Sequence, residues 1–126
     1  ALLALLGVML GAFGAHGLKN ILDASALATF EVGVRYQMYH ALAILVVGGL
    51  AAQASLVWRK RAALLFIIGS VLFSGSIYLL VLTGQKWLGP VTPLGGLCLM
   101  LGWVALVIGV MKGADNGADT SPGSDD

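Results

Sequence analysis

Charge is what this sequence has least of. Lysine and arginine together number 7, and aspartate and glutamate 6, among 126 residues. That is a charged fraction of 10%, against about 25% in an ordinary soluble domain. The 1 cysteine, Cys98, lies in an apolar run and has no partner for an internal disulfide; it reads as a small core residue. No basic stretch interleaved with aromatics exists, so nucleic-acid binding is excluded. Cys-x-x-Cys, His-Glu-x-x-His and a glycine-rich phosphate loop are all missing. Gly11–Gly17 is glycine-rich but apolar and is followed by no Lys-Ser pair, which rejects a nucleotide site. No Ser–His–Asp combination can be assembled in one place. The chain is therefore expected not to be an enzyme, and no cofactor is predicted.

What the chain has in abundance is apolar surface. Hydrophobic residues make up 59% and mean hydropathy is +0.95. A soluble domain of this size buries too small a fraction of its surface to hide that much. The expected solvent is lipid, and the expected fold is all-α: an integral membrane four-helix bundle with short loops and antiparallel neighbours.

Four spans are expected at about 1–17, 36–57, 62–82 and 93–111. The first is at the short end of membrane length. It has no basic leader, and Gly14, Ala15 and His16 form a poor cleavage site, so it reads as a span rather than a signal peptide. Gly7, Gly11 and Ala15 recur every four residues, a stripe that lets another helix approach closely. Leu18 to about Phe30 reads as an interfacial connector, with Asp23 as N-cap of a helix beginning at Ala24. A single helix from Ala24 to Val57 would be roughly 50 Å long and would have to bend near Gly33, tilt or stand clear of the bilayer. Trp58 is read as an interface anchor and Arg59-Lys60-Arg61 as a cytoplasmic loop. Ser70 and Ser74 are expected to face a neighbouring helix, Gly84 to cap the third span, and Thr92 and Pro93 to open the fourth as N-cap and first helical residue. Gly95, Gly96 and Gly102 thin that last helix. Residues 114–126 read as a disordered acidic tail. The small bias of basic residues points to both termini inside.

The densest run of reactive side chains is Phe30 to Ala43. Glu31 and Arg35 stand four apart with the acid first, the favourable order for a same-face ion pair. Tyr36 and His40 also share a face, with Gly33 one turn earlier. Under the expected topology, His16, Tyr36, Tyr39, His40, Ser74, Ser76 and Tyr78 converge with Thr92 on the outer half of the bundle. With Glu31 and Arg35 they form a candidate polar layer, either structural or functional. The two histidines, His16 and His40, are also weighed as haem ligands, or as zinc ligands with Glu31.

Gly11–Leu18, Phe30–Leu42, Leu72–Tyr78, Thr92–Gly96 and Gly102-Trp103 together resemble the domain-of-unknown-function 423 family. These are small bacterial inner-membrane proteins with a related eukaryotic transmembrane protein. The resemblance covers nearly the whole chain apart from the acidic tail. It implies a four-helix integral membrane protein of the bacterial inner membrane and no particular activity. The expectation that follows is a non-enzymatic accessory subunit or scaffold of a larger membrane assembly. The alternative is a small oligomeric transporter of ions, protons or small molecules using the polar layer, and the third reading is haem or metal binding by His16 and His40. The expected partners are the lipid bilayer and either a membrane protein or further copies of the chain.

Overall fold

The computed structural model describes residues 1–118. Four α-helices follow in order: α1 (Leu2–His16), α2 (Ala24–Gly49), α3 (Leu56–Thr83) and α4 (Val91–Ala118), with a single 3₁₀ turn at Lys86–Leu88. Among the described residues there is no strand. Two segments, Leu56–Thr83 and Lys86–Ala114, are long and apolar enough to cross a membrane.

Local chemistry explains most of the ends. Asp23 accepts a hydrogen bond from the Ala26 N–H at 2.7 Å, the N-cap expected from sequence, and α2 starts at Ala24. At the end of α3, Gly84 takes the left-handed conformation (φ 69°), and its N–H reaches the Leu80 carbonyl. A side chain there would be strained, so glycine is the residue that lets the chain leave the helix.

Other ends differ from expectation. The second helix stops at Gly49 rather than near Val57, so its 26 residues span about 39 Å and need no bend. Gly48 and Gly49 are poor helix formers, and neither has a neighbour that would support a side chain. Arg59 then satisfies the freed carbonyls of Val47 (2.9 Å) and Gly48 (3.3 Å). Arg59-Lys60-Arg61 therefore lies in the opening turns of α3, not in a loop. At the fourth helix, α4 begins at Val91. Thr92 is thus inside the first turn and does not cap it, and Pro93 is tolerated because first-turn N–H groups have no intrahelical acceptor. The helix continues through Ala118, so the first part of the expected disordered tail is helical. Residues 119–126 of that tail lie outside the described residues.

Consecutive helices pack against one another, α1 on α2, α2 on α3 and, most extensively, α3 on α4. Small residues set how close they come. On α1 the stripe is Gly7, Gly11 and Gly14, facing Met38, Val34 and Phe30 in antiparallel register. Ala15, expected in that stripe, is exposed instead, because a helix face returns after 3 or 4 residues and Gly14 is the nearer fit. On α4, Gly95, Gly102 and Gly109 recur every seven residues and meet Phe73, Phe66 and Trp58 of α3 in turn. Gly69 of α3 returns the arrangement, taking Leu99 against its Cα. The match of large against absent side chains at a seven-residue repeat is the geometry of closely packed antiparallel helices. Gly96, by contrast, is only in ordinary contact with the Phe73 ring.

The outside of the molecule is largely apolar, and polar side chains stand among the apolar ones of its interior. Val71, Leu79, Leu94, Met100, Val104 and Val107 are all more than half exposed or close to it. Gln37, His40, Ser70, Ser74 and Ser76 are buried. In water such a distribution would be a large exposed patch with no cover.

Candidate functional site

Apart from Ser70, the buried polar side chains fall into three groups, two of which spring from one stripe of α2. Phe30, Gly33, Gln37, His40, Ala41, Ala43 and Val47 are buried on that helix, at spacings that keep them on one broad helical face.

The first group ties α1, α2 and α3 together. Gln37 donates from Nε2 to the Leu3 carbonyl of α1 at 2.8 Å. Its Oε1 accepts the Tyr78 hydroxyl of α3 at 2.7 Å. Tyr78 can come this near because Gly33 has no side chain: a Cβ there would stand 2.8 Å from the Tyr78 ring. The same ring packs on Phe30, centroids 4.9 Å apart. One turn away, Ser74 donates to the Gly33 carbonyl at 2.7 Å.

The second group joins α2 to α4. His40 Nδ1 lies 2.7 Å from the Tyr36 carbonyl, and its Nε2 lies 3.1 Å from the indole Nε1 of Trp103. A carbonyl only accepts and an indole N–H only donates. The network therefore assigns the neutral imidazole with its proton on Nδ1 and a lone pair on Nε2. Rings enclose it: Phe66 at 5.4 Å, Trp103 at 6.0 Å and Tyr36 at 6.2 Å. Tyr36 in turn rests on Phe73 at 4.9 Å. A pocket of about 370 Å³ opens here toward the outside between α2 and α4, walled by Tyr36, Tyr39, Met100 and Trp103.

The third group is small. Ser76 and Thr92 share a hydrogen bond of 2.6 Å, which pins the start of α4 to α3. Thr92 is engaged there rather than at the helix cap.

Ser70 stands apart. It is 3% exposed, and among the described residues its Oγ alone is a buried side-chain polar atom with no hydrogen-bond partner. It lines a groove of about 310 Å³ between α1 and α3, walled by Leu6, Met9, Leu10 and Val71, with Gln37 and Tyr78 at one end. Gly75 is on the same wall, and a Cβ there would meet open space.

The sequence-derived polar layer is thus split. Tyr36, His40, Ser74, Ser76 and Tyr78 belong to the network. Tyr39 is exposed beside the α2–α4 pocket. Glu31 and Arg35 are both exposed, and among the described residues no ion pair joins them. His16 is exposed at the end of α1. Since Gly7 faces Met38, the rise of the two antiparallel helices sets His16 and His40 roughly 16 Å apart along their axes. One haem or zinc ion cannot bridge them, and both His40 nitrogens are already engaged. No group of three His, Cys, Asp or Glu side chains able to hold a metal occurs among the described residues. His40 lies about 24 Å along α2 from its start, because the helix begins at Ala24, twelve residues before the expected span.

Sequence reasoning passed over Gln37 and Trp103. Gln37 was legible as the strongly polar member of the stripe that starts at Phe30. Trp103 carried a weaker signal, a tryptophan in mid-helix rather than at an interface, next to a glycine.

Comparison with known proteins adds the following. The model of a family described as "Protein of unknown function (DUF423)" matches residues 10–96, from the middle of α1 to the start of α4. A UPF0382 membrane protein of Staphylococcus saprophyticus is 46% identical over 112 residues, covering 89% of this chain and 92% of the relative. UPF0382 membrane protein YwdK of Bacillus subtilis is 44% identical over 113 residues, 89% and 92% of the two chains. A UPF0382 membrane protein of Haemophilus influenzae is 40% identical over 105 residues, 83% and 84%. No solved structure matches the chain.

Proposed function

This chain belongs to the DUF423 family of proteins of unknown function, and from that premise we propose that it is a four-pass protein of the bacterial inner membrane acting as a non-enzymatic accessory subunit. Its relatives are named membrane proteins, and large apolar side chains are exposed along α1, α3, α4 and the second half of α2. In the proposed topology Arg59, Lys60, Arg61 and Lys112 gather at one end, the cytoplasmic side, together with both termini.

The observation that carries the accessory reading is the Ser70 hydroxyl. The other buried polar groups of the interior close on one another: Gln37 at both ends, His40 at both nitrogens, Ser74 on backbone, Ser76 on Thr92. We read this interior as a clamp that holds the helices together. Among the described residues Ser70 alone has a desolvated, unpaired side-chain polar atom, at the wall of an apolar groove. A buried hydroxyl without a partner is costly, and in lipid no water supplies one. A transmembrane helix of a partner protein seated in the groove fills it, and rotation of the Ser70 side chain, whose Oγ is closed off in the lone chain, brings the hydroxyl to a hydrogen-bonding group of that helix.

The test is the native mass and composition of the complex extracted gently from its own membrane. The expected result is a larger species with one partner in fixed ratio, lost on Gly75→Leu, which fills the groove without striking the fold. Elution of the chain alone, or as a homo-oligomer unaffected by Gly75→Leu, overturns the reading.

A further inference from the structure

The end of the molecule opposite the α1–α3 groove divides its cations between two tasks. Arg59 is committed inward, to the carbonyls of Val47 and Gly48. Arg61 and Lys112 are not part of that cap. The Arg61 guanidinium stands over the Trp58 ring, 4.6 Å from its centroid, and the Lys112 ammonium, arriving from α4, stands 5.9 Å from the same centroid. One indole thus holds two cations from two helices in one place. Such contacts fix the position of a cation without neutralising it. Trp58 can sit between the helices because Gly109 leaves it room: a Cβ there would be 3.0 Å from the Trp58 Cβ.

Directly beneath the two cations, a cavity of about 410 Å³ opens between α3 and α4, with Leu64, Leu65, Leu101 and Val104 as its apolar walls. Leu64, Leu101 and Val104 are about half exposed, so the groove is open sideways to the surroundings. From Lys112 to Leu101 the helix rises about 16 Å, which is close to the half-thickness of a bilayer's hydrocarbon core, about 15 Å. Fixed positive charge at the interface, an indole at the same level and an apolar groove one leaflet long form one continuous surface.

We propose that this surface is a binding site for an anionic phospholipid. The headgroup phosphate lies between Arg61 and Lys112 beside Trp58, and one acyl chain lies in the groove between α3 and α4. The charge selects anionic over neutral lipid, and the groove selects a lipid over a free phosphate. Arg61 presents paired N–H donors that match phosphate oxygens, whereas Lys112 acts as a point charge. The inference is independent of the partner assigned to the Ser70 groove, which lies on other helix faces.

The test is lipid retention by the full chain in detergent, read by native mass spectrometry. The probes are phosphatidylglycerol and phosphatidylcholine with identical acyl chains, and glycerol 3-phosphate as the head alone. At equal concentrations the expected result is about tenfold or greater preference for phosphatidylglycerol. That preference falls toward parity in Arg61→Gln/Lys112→Gln and in the groove-filling Leu101→Trp, and is unchanged in Lys86→Gln at the other end. Glycerol 3-phosphate does not displace the lipid. Equal retention of the two lipids overturns the proposal, as does a preference that survives both the neutralised and the filled variants. Displacement by glycerol 3-phosphate overturns it too, leaving a phosphate site without a chain groove. If the doubly neutralised protein fails to fold, Leu101→Trp decides alone, loss of the preference supporting the site and its persistence sinking it.

Discussion

Trp103 donates its indole N–H to Nε2 of His40 across 3.1 Å. The Tyr36 carbonyl accepts from Nδ1, so the two contacts together place the proton on Nδ1 and the lone pair on Nε2. Nitrogen-15 spectra of the imidazole are expected to show a neutral ring protonated at Nδ1. Trp103→Phe should leave Nε2 without its donor and shift that nitrogen's resonance, while the Tyr36 carbonyl keeps the proton on Nδ1. A ring protonated at Nε2 in the native protein would contradict the network, since Trp103 has no lone pair to offer.

The two kinds of glycine on α3 and α4 should respond oppositely to alanine. At Gly95 an added Cβ runs into the backbone N of Phe73, whereas at Gly75 it meets nothing. Gly95→Ala is expected to destabilise by about 1–3 kcal/mol through overpacking. Gly75→Ala should stabilise by about 0.5–1 kcal/mol through helix propensity. Unfolding midpoints in one detergent, measured side by side, check the signs.

Among the described residues, Gln37 is the one side chain that hydrogen-bonds to α1 from the body of the molecule. Gln37→Leu breaks that bond and also strands the Tyr78 hydroxyl. With membrane hydrogen bonds worth about 0.6 kcal/mol each on average and an unpaired hydroxyl costing about 1 kcal/mol or more, a loss of about 1–2 kcal/mol is expected. Hydrogen exchange should locate the damage: amides of α1 open more readily while those of α3 and α4 hardly change. Uniform opening of all four helices would argue against Gln37 as the α1 clasp.

Ser70 and Ser74 stand one turn apart on α3 and look equivalent in sequence. Ser74→Ala removes a buried bond to the Gly33 carbonyl and should cost about 0.5–1.5 kcal/mol. Ser70→Ala removes a hydroxyl that bonds nothing within the protein, and the isolated chain should change by less than about 0.5 kcal/mol or gain stability. Comparable losses in the two variants would mean that Ser70 has an internal partner.

Glu31 and Arg35 have the spacing of an ion pair yet do not form one. Each of Glu31→Arg and Arg35→Glu should shift stability by no more than about 0.5 kcal/mol, and the double exchange should be additive. A rescue in the double variant, read from a complete double-mutant cycle, would restore the pair.

Much of the architecture was legible because lipid simplifies the code. With so few charges, the apolar runs had to be helices, and family membership could be read from short motifs. The Asp23 N-cap and the Gly84 C-cap were legible because each rests on local chemistry within one turn. Boundaries set by competition between neighbouring helices were not. The end of α2 at Gly49 depends on Arg59 reaching across the turn to its carbonyls, and the start of α4 at Val91 depends on Ser76 holding Thr92. Neither contact has a signature within its own helix.

The sequence by itself determined an all-helical, lipid-compatible chain and most of the residues able to form a polar interior. Hydropathy and spacing are properties of single segments and need no neighbour. Only the tertiary structure decided which of those residues meet. It made Gln37 and Trp103 partners in the polar network, sent Glu31, Arg35 and His16 outward, and substituted Gly14 for Ala15 in the packing stripe. The physical reason is that a hydrogen bond needs two partners within about 3 Å, and residues as far apart as His40 and Trp103 reach that distance only through the rotation and register of packed helices. Those are set by where glycine lets backbones touch.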